Sequence, residues 1–254
     1  MAKTNAIIEL KDIYKSFGPK KVCEGINLKV YQGEILALIG GSGTGKTVIL
    51  RHMIGLIKPD SGKVFFKGKD VTNYTEDEFI DVRKQIAYLF QNGALFDSLS
   101  VYENVAYPIR EHTKLSEKEI EKRVQEELEN LGIGETENLH PSDLSGGMQR
   151  RVGFARAIIL KPEVILFDEP TTGLDPFNTH NVVESIRNLN KTRGVTCIVV
   201  THDMVSMSKL ADRIAMLHHG KIRTIGPADE VRASEDPVVQ SFITGVEVEG
   251  NRNA

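Results

Sequence analysis

Gly40-Gly41-Ser42-Gly43-Thr44-Gly45-Lys46-Thr47 lies between two apolar runs, Ile35–Ile39 before it and Val48–Ile54 after it. No other feature restricts the fold as much. The first run reads as a buried strand and the second as the start of an apolar helix. The spacing G-x-x-x-x-G-K-[ST] in a strand–turn–helix setting is the P-loop pattern. Its glycines let backbone N–H groups approach phosphate oxygens with no Cβ in the way. The helix start adds partial positive charge. Lys46 is placed to neutralise β- and γ-phosphate charge, and the Thr47 hydroxyl is a ligand for Mg²⁺. The expected phosphate-binding set is therefore Gly40, Gly41, Ser42, Gly43, Thr44, Gly45, Lys46 and Thr47, with the backbone N–H of Val48.

A second constellation sits at the end of another apolar run. Val164-Ile165-Leu166-Phe167-Asp168-Glu169 reads as a buried strand ending in two carboxylates. Ligands in α/β sheets gather at the carboxyl ends of strands. Asp168 is expected to hold Mg²⁺, through water, and Glu169 to act as the general base toward the attacking water. Ile86–Phe90 and Val195–Val200 read as further core strands. Ile7–Ile13 and Ile26–Val30 read as a smaller antiparallel piece that Val64–Phe66 joins, and Ile214–Leu217 with Lys221–Ile225 as a hairpin. Between Gln91 and Lys161 no strand-like run occurs, so that stretch reads as a helical insert. Within it Ser116 and Glu119 form a capping box, and Gly132 ends the helix they begin. Asp175-Pro176 opens a helix that ends near Gly194.

The third constellation is Leu144-Ser145-Gly146-Gly147-Met148-Gln149. Ser145 is a plausible N-cap, and Met148, Val152, Ala155 and Ile159 line one helix face. A Ser-Gly-Gly helix start is an anion site. One nucleotide already has its cradle at Lys46, so a second phosphate site makes sense if each serves a different nucleotide. A head-to-tail dimer provides that, with ATP between the P-loop of one copy and Ser145-Gly146-Gly147 of the other.

Taken together, these motifs resemble the ABC ATPase cassette, with Leu144–Gln149 similar to its signature. The resemblance covers essentially the whole chain in family order. It implies an α/β P-loop NTPase cassette: a RecA-like core, an antiparallel β subdomain and a helical signature subdomain. A single domain is expected over 1–246, with core 1–91 and 161–246 and insert 92–160, followed by a polar tail 247–254. It further implies that Phe17 stacks on adenine, that Gln91 is the switch glutamine touching Mg²⁺, and that His202 contacts the γ-phosphate. Ser145, Gly146, Gly147, Gln149 and Asp175 would reach nucleotide across the dimer interface. Val48 stands where many cassettes carry a hydroxyl residue, and Met148 replaces the commoner glutamine. Neither change removes a catalytic group.

The run from Asn92 to His112, with Gly93-Ala94-Leu95-Phe96-Asp97, Pro108–His112 and Met148, is similar to the ATPases of Mla/Mce-type phospholipid transporters. That likeness implies a permease partner (MlaE-like), an Mce-type lipid-binding protein (MlaD-like) and a small STAS-type protein (MlaB-like). It places the chain at the cytoplasmic face of a bacterial inner membrane, held there through the permease. Small Gly93 and Ala94 beside Leu95 and Phe96 would form a cleft for a permease helix. The alternatives are another ABC transporter, for amino acids, ions or lipoproteins, or a soluble ABC ATPase of DNA repair or translation. The last usually carries a long coiled coil or two cassettes, and this sequence shows neither.

Composition agrees and excludes little else. The net charge of −3 gives no support for a nucleic-acid partner. No apolar run approaches bilayer-spanning length, and Met1–Glu9 has no signal-peptide pattern. Cys23 and Cys197 lack metal-ligand spacing, so reduced thiols are expected.

Overall fold

The computed structural model describes residues 6–89, 94–203, 207 and 210–244. Two sheets organise it. The smaller is antiparallel, in the order β2-β1-β4-β5, from β1 (Ala6–Phe17), β2 (Lys20–Tyr31), β4 (Ser61–Phe66) and the short β5 (Lys69–Asp70). The larger runs β10-β9-β3-β8-β7-β6. It comprises β3 (Ile35–Ile39), β6 (Ile86–Leu89), β7 (Val164–Asp168), β8 (Thr196–Thr201), β9 (Arg213–His218) and β10 (Lys221–Pro227). All neighbours are parallel except β9 and β10, which form the expected hairpin.

The period-2 pleat sorts β3 onto two cores. Leu36 and Leu38 face the small sheet and α1 (Lys46–Met53), together with Ile49, Leu50 and Met53. Ile35, Ala37 and Ile39 face the other layer, which includes α6 (Pro176–Arg193). With both faces covered, all five β3 residues are buried, as the unbroken apolar run requires.

The insert contributes α3 (Val101–His112), α4 (Glu117–Asn130) and α5 (Gly146–Ile158) around a third core that includes Val105, Val124, Leu128 and Val152. The Ser116–Glu119 capping box forms, and Gly132 follows the helix in left-handed conformation. Two of the contacts that tie insert to core involve α4 and α5. Phe154 of α5 stacks on Phe167 of β7, with centroids 6.1 Å apart. Arg193, in the last turn of α6, makes a bidentate pair with the mostly buried Glu127 of α4, at 2.9–3.2 Å.

Among the described residues, α2 (Glu76–Arg83), α7 (Ala228–Arg232) and α8 (Pro237–Thr244) are helices that were not anticipated. Cys23 and Cys197 are buried and unpaired, as expected, and burial pushes their thiols up to about 11 and about 12. The polar tail 247–254 lies outside the described residues.

Candidate functional site

The glycine-rich turn leaves β3 and enters α1 directly. Two of its glycines are sterically required. A Cβ on Gly40 would lie 2.3 Å from the Leu217 carbonyl oxygen, and one on Gly45 would lie 2.7 Å from Val22 Cγ1. Both also have positive φ. Gly45 caps α1 without a side chain, so no hydroxyl competes for the N–H groups of the first turn. Lys46 is buried, and its ammonium donates to the carbonyls of Gly40 (2.8 Å) and Gly41 (2.9 Å). Burial pulls its pKa below the ordinary lysine value, while the Glu169 and Asp168 carboxylates pull the other way.

The acidic strand end meets this turn. The Thr47 hydroxyl donates to Asp168 Oδ1 at 3.0 Å. Asp168 Oδ2 accepts from the Tyr88 hydroxyl at 2.7 Å. The next residue, Glu169, has φ 52°, a left-handed backbone that a non-glycine residue adopts at a cost of about 1–2 kcal/mol. Its N–H bonds the Val200 carbonyl, which holds the strained residue between β7 and β8. Its Oε2 lies 2.9 Å from His202 Nδ1 and accepts from the Thr172 hydroxyl at 3.1 Å. A carboxylate only accepts, so Nδ1 carries the imidazole proton in this pair.

The turn from Gly41 to Val48, with Glu169, Thr172 and His202, lines one cleft of about 820 Å³, together with Phe17, Lys20, Val22 and Phe242, and Asp168 meets it through its bond with Thr47. The volume falls in the usual range for small-molecule sites. Phe17 is 48% exposed at the end of β1, so it is not a packed core residue. The P-loop, Asp168, Glu169 and His202 are thus gathered as the motifs suggest. Gln91 lies outside the described residues, as does Gly93.

Ser145, Gly146 and Gly147 sit apart from that cleft, at the start of α5. Ser145 is exposed and caps the helix through Met148 N–H. Among the described residues, a Cβ on Gly146 or Gly147 would meet no atom within 4 Å beyond its own helix backbone and chain neighbours, and neither has positive φ. None of those residues calls for glycine there. The Gln149 amide turns inward and donates to the carbonyls of Pro141 (2.7 Å) and Leu144 (3.4 Å). Asp175 accepts from the N–H groups of Phe177 and Asn178, an N-cap that holds its pKa below the ordinary value. Between the two regions, Arg150 Nη2 donates to the Thr172 carbonyl at 3.2 Å. In the insert Leu95 is partly buried against its core, whereas Phe96 (45%) and Tyr107 (46%) are exposed, with centroids 5.4 Å apart.

Sequence reading did not single out Tyr88, Thr172, Arg150, Lys20 or Phe242. Thr172 lies three residues after Glu169, a spacing that would have flagged its hydroxyl. The others come from separate elements and leave no local signal.

Comparison with known proteins gives a consistent picture. Residues 23–172 match the family described as ABC transporter. The chain is 40% identical over 238 residues to a probable ribonucleotide transport ATP-binding protein of Mycobacterium leprae, spanning 94% of this chain and 69% of that one. It is also 40% identical over 240 residues to the intermembrane phospholipid transport system ATP-binding protein of Escherichia coli K12, covering 94% and 89%. Among solved structures, the CbiO1 component of an ABC transporter complex from Clostridium perfringens superposes with TM-score 0.83 at 29% identity, covering 94% and 95%. A dimeric bacterial ABC transporter cassette superposes with TM-score 0.80 at 31% identity, covering 87% and 98%.

Proposed function

The chain belongs to the ABC transporter family, and from that premise we propose that it is the ATP-hydrolysing subunit of an Mla/Mce-type phospholipid transporter. The observation that carries the ATPase reading is the clamp on Glu169. Its carboxylate is fixed by His202 and Thr172 at the mouth of the cleft that Lys46 and Thr47 line.

ATP would enter that cleft with adenine against Phe17 and phosphates along Gly40–Thr47. Lys46 would exchange its carbonyl partners for phosphate oxygens. Glu169 would take the proton of the attacking water, or orient that water, while His202 donates Nδ1–H to the carboxylate; its contact with the γ-phosphate, an acceptor, would need a proton on Nε2 as well. Thr47 and Asp168 would hold Mg²⁺, with Gln91. A hydroxyl and a carboxylate are the hard oxygen ligands this ion takes. Bound there, the ion neutralises phosphate charge.

Two copies would close on two nucleotides, each presenting Ser145-Gly146-Gly147 to the other's ATP. The open space above Gly146 and Gly147 supports this, because it leaves room for a second copy's phosphates. Asp175 would add a contact at that interface, whereas Gln149, its amide nitrogen committed to the Pro141 and Leu144 carbonyls, corrects the expectation by steadying the helix start instead. No helix among the described residues is long and apolar enough to cross a membrane. Work on membrane lipid therefore needs an MlaE-like permease, with MlaD-like and MlaB-like proteins as further partners, at the cytoplasmic face of the inner membrane. The exposed Phe96–Tyr107 pair suits such a contact.

Replacing Glu169 by Gln tests the core of this reading. Turnover should fall at least about 100-fold, the usual weight of a general base. ATP binding should persist, and a closed dimer should accumulate in MgATP on gel filtration. Only monomer, with undiminished phosphate release, would count against it.

The phospholipid cargo rests on the Escherichia coli relative and on an Arabidopsis thaliana chloroplast protein bearing a glycolipid's name, 41% identical over 258 residues. The Mycobacterium leprae relative, named for ribonucleotide transport, favours a second cargo reading. Proteins co-purified from detergent-solubilised membranes decide between them. A permease with an Mce-type protein supports lipid, and a periplasmic solute receptor rejects it.

A further inference from the structure

Asp168 is held from a direction that the family motifs do not cover. Tyr88 stands on the edge strand β6, in register with Leu166 of β7. Its ring packs against the core beneath α1, and its hydroxyl donates to Asp168 Oδ2 at 2.7 Å. Thr47, from the P-loop helix, donates to Oδ1 at 3.0 Å. Both carboxylate oxygens are therefore engaged, by donors on two different elements. One donor leaves a carboxylate free to swing about its Cβ–Cγ bond; donors on both oxygens fix its plane.

The direction of the Tyr88 proton is also determined. A carboxylate oxygen only accepts, so the phenol is the donor in this pair.

We propose that Tyr88 is a positioning residue for Mg²⁺-dependent nucleotide binding: its hydroxyl fixes the plane of Asp168 relative to Thr47. The inference rests on the reading of Asp168 as the carboxylate that faces the metal. Outer-shell partners of this kind orient metal-ligating groups, and their loss costs about 10–100-fold in metal affinity. Tyr88 also stands three residues before Gln91 in the sequence. The strand that leads to the switch glutamine thus bears directly on the acidic strand end.

Tyr88→Phe removes the hydroxyl and keeps the ring, so packing is preserved. The test measures ATP binding to the full-length chain by calorimetry, in EDTA and across a MgCl₂ series, beside Asp168→Asn. The expected result for Tyr88→Phe is wild-type affinity in EDTA, an unchanged melting midpoint, and about a tenfold higher Mg²⁺ requirement. Asp168→Asn should lose the Mg²⁺ response outright. If Asp168→Asn keeps it, the reading of Asp168 fails, and the inference with it. If Asp168→Asn loses it while Tyr88→Phe keeps the wild-type profile, Tyr88 is only a packing residue and the inference alone is overturned. An equal weakening in EDTA and in Mg²⁺ also overturns it, because the effect would then lie in the nucleotide cradle at large.

Discussion

His52 lies on α1, 1% exposed, about a turn and a half beyond Lys46 and Thr47. Its Nδ1 is 2.7 Å from the Ile57 carbonyl, and its Nε2 is buried without a hydrogen-bond partner among the described residues. The carbonyl needs a donor, so Nδ1–H serves it and the ring is neutral. Burial holds the pKa below the ordinary 6.5. Above 6.5 neither folded nor unfolded chain carries this proton, and the stability is fully present. As pH falls through that value the unfolded chain gains a proton that the folded chain does not, so stability drops until the depressed folded pKa is passed. His52→Asn keeps a donor near the Nδ1 position and removes the titration. Its urea midpoint should be flatter than wild type between about pH 7 and pH 5. A parallel loss in both proteins would place the acid sensitivity elsewhere. Legibility at this scale follows chemistry. Lys46, Thr47, Asp168 and Glu169 announce themselves because phosphate and metal binding demand those residue types at close spacing. Tyr88 is invisible beforehand because its partner lies 80 residues away and meets it only once β6 and β7 pair.

At the scale of elements, the start of α3 depends on one side chain. Asn104 is fully buried, yet every polar atom of its amide is used. Its oxygen accepts from Phe96 N–H at 2.8 Å, and its nitrogen donates to the Phe96, Leu99 and Ser100 carbonyls at 3.0–3.1 Å. That network shapes the loop presenting Phe96, beside the Ser100–Glu103 capping box. Asn104→Ala leaves these backbone groups unsatisfied and should cost about 2–3 kcal/mol in denaturant unfolding. It should also weaken permease co-purification more than Phe96→Ala does. A loss under 1 kcal/mol, on the order of a surface change, would refute this role. The helix at α4 was readable because a capping box and an apolar stripe agree. The α2 helix was not, although Thr75 and Glu78 form a full capping box, because only Phe79 and Val82 of its eight residues are buried. Five-residue α7 is too short for any periodicity to register.

For the whole molecule the decisive surface is the exposed start of α5. Gly146→Val introduces a side chain into space that no described residue of this chain fills. The melting midpoint and monomer ATP affinity should therefore stay at wild-type values. In a Glu169→Gln background the MgATP dimer should disappear from gel filtration, because the second copy's phosphates can no longer approach. A double variant that still dimerises would show that this helix start does not face nucleotide. The two-sheet architecture and the helical insert were legible from apolar runs and their interruptions. How the insert is held against the core was not, because those contacts join residues far apart in sequence.

The Glu127–Arg193 pair gives that attachment a practical meaning for anyone recombining cassettes. An insert transplanted from a relative would bring its own residue to position 127, and a mismatch would strand either a carboxylate or a guanidinium beneath the graft. Functional chimeras therefore require the two positions to be exchanged as a unit, although one lies in the transferred piece and the other in the recipient.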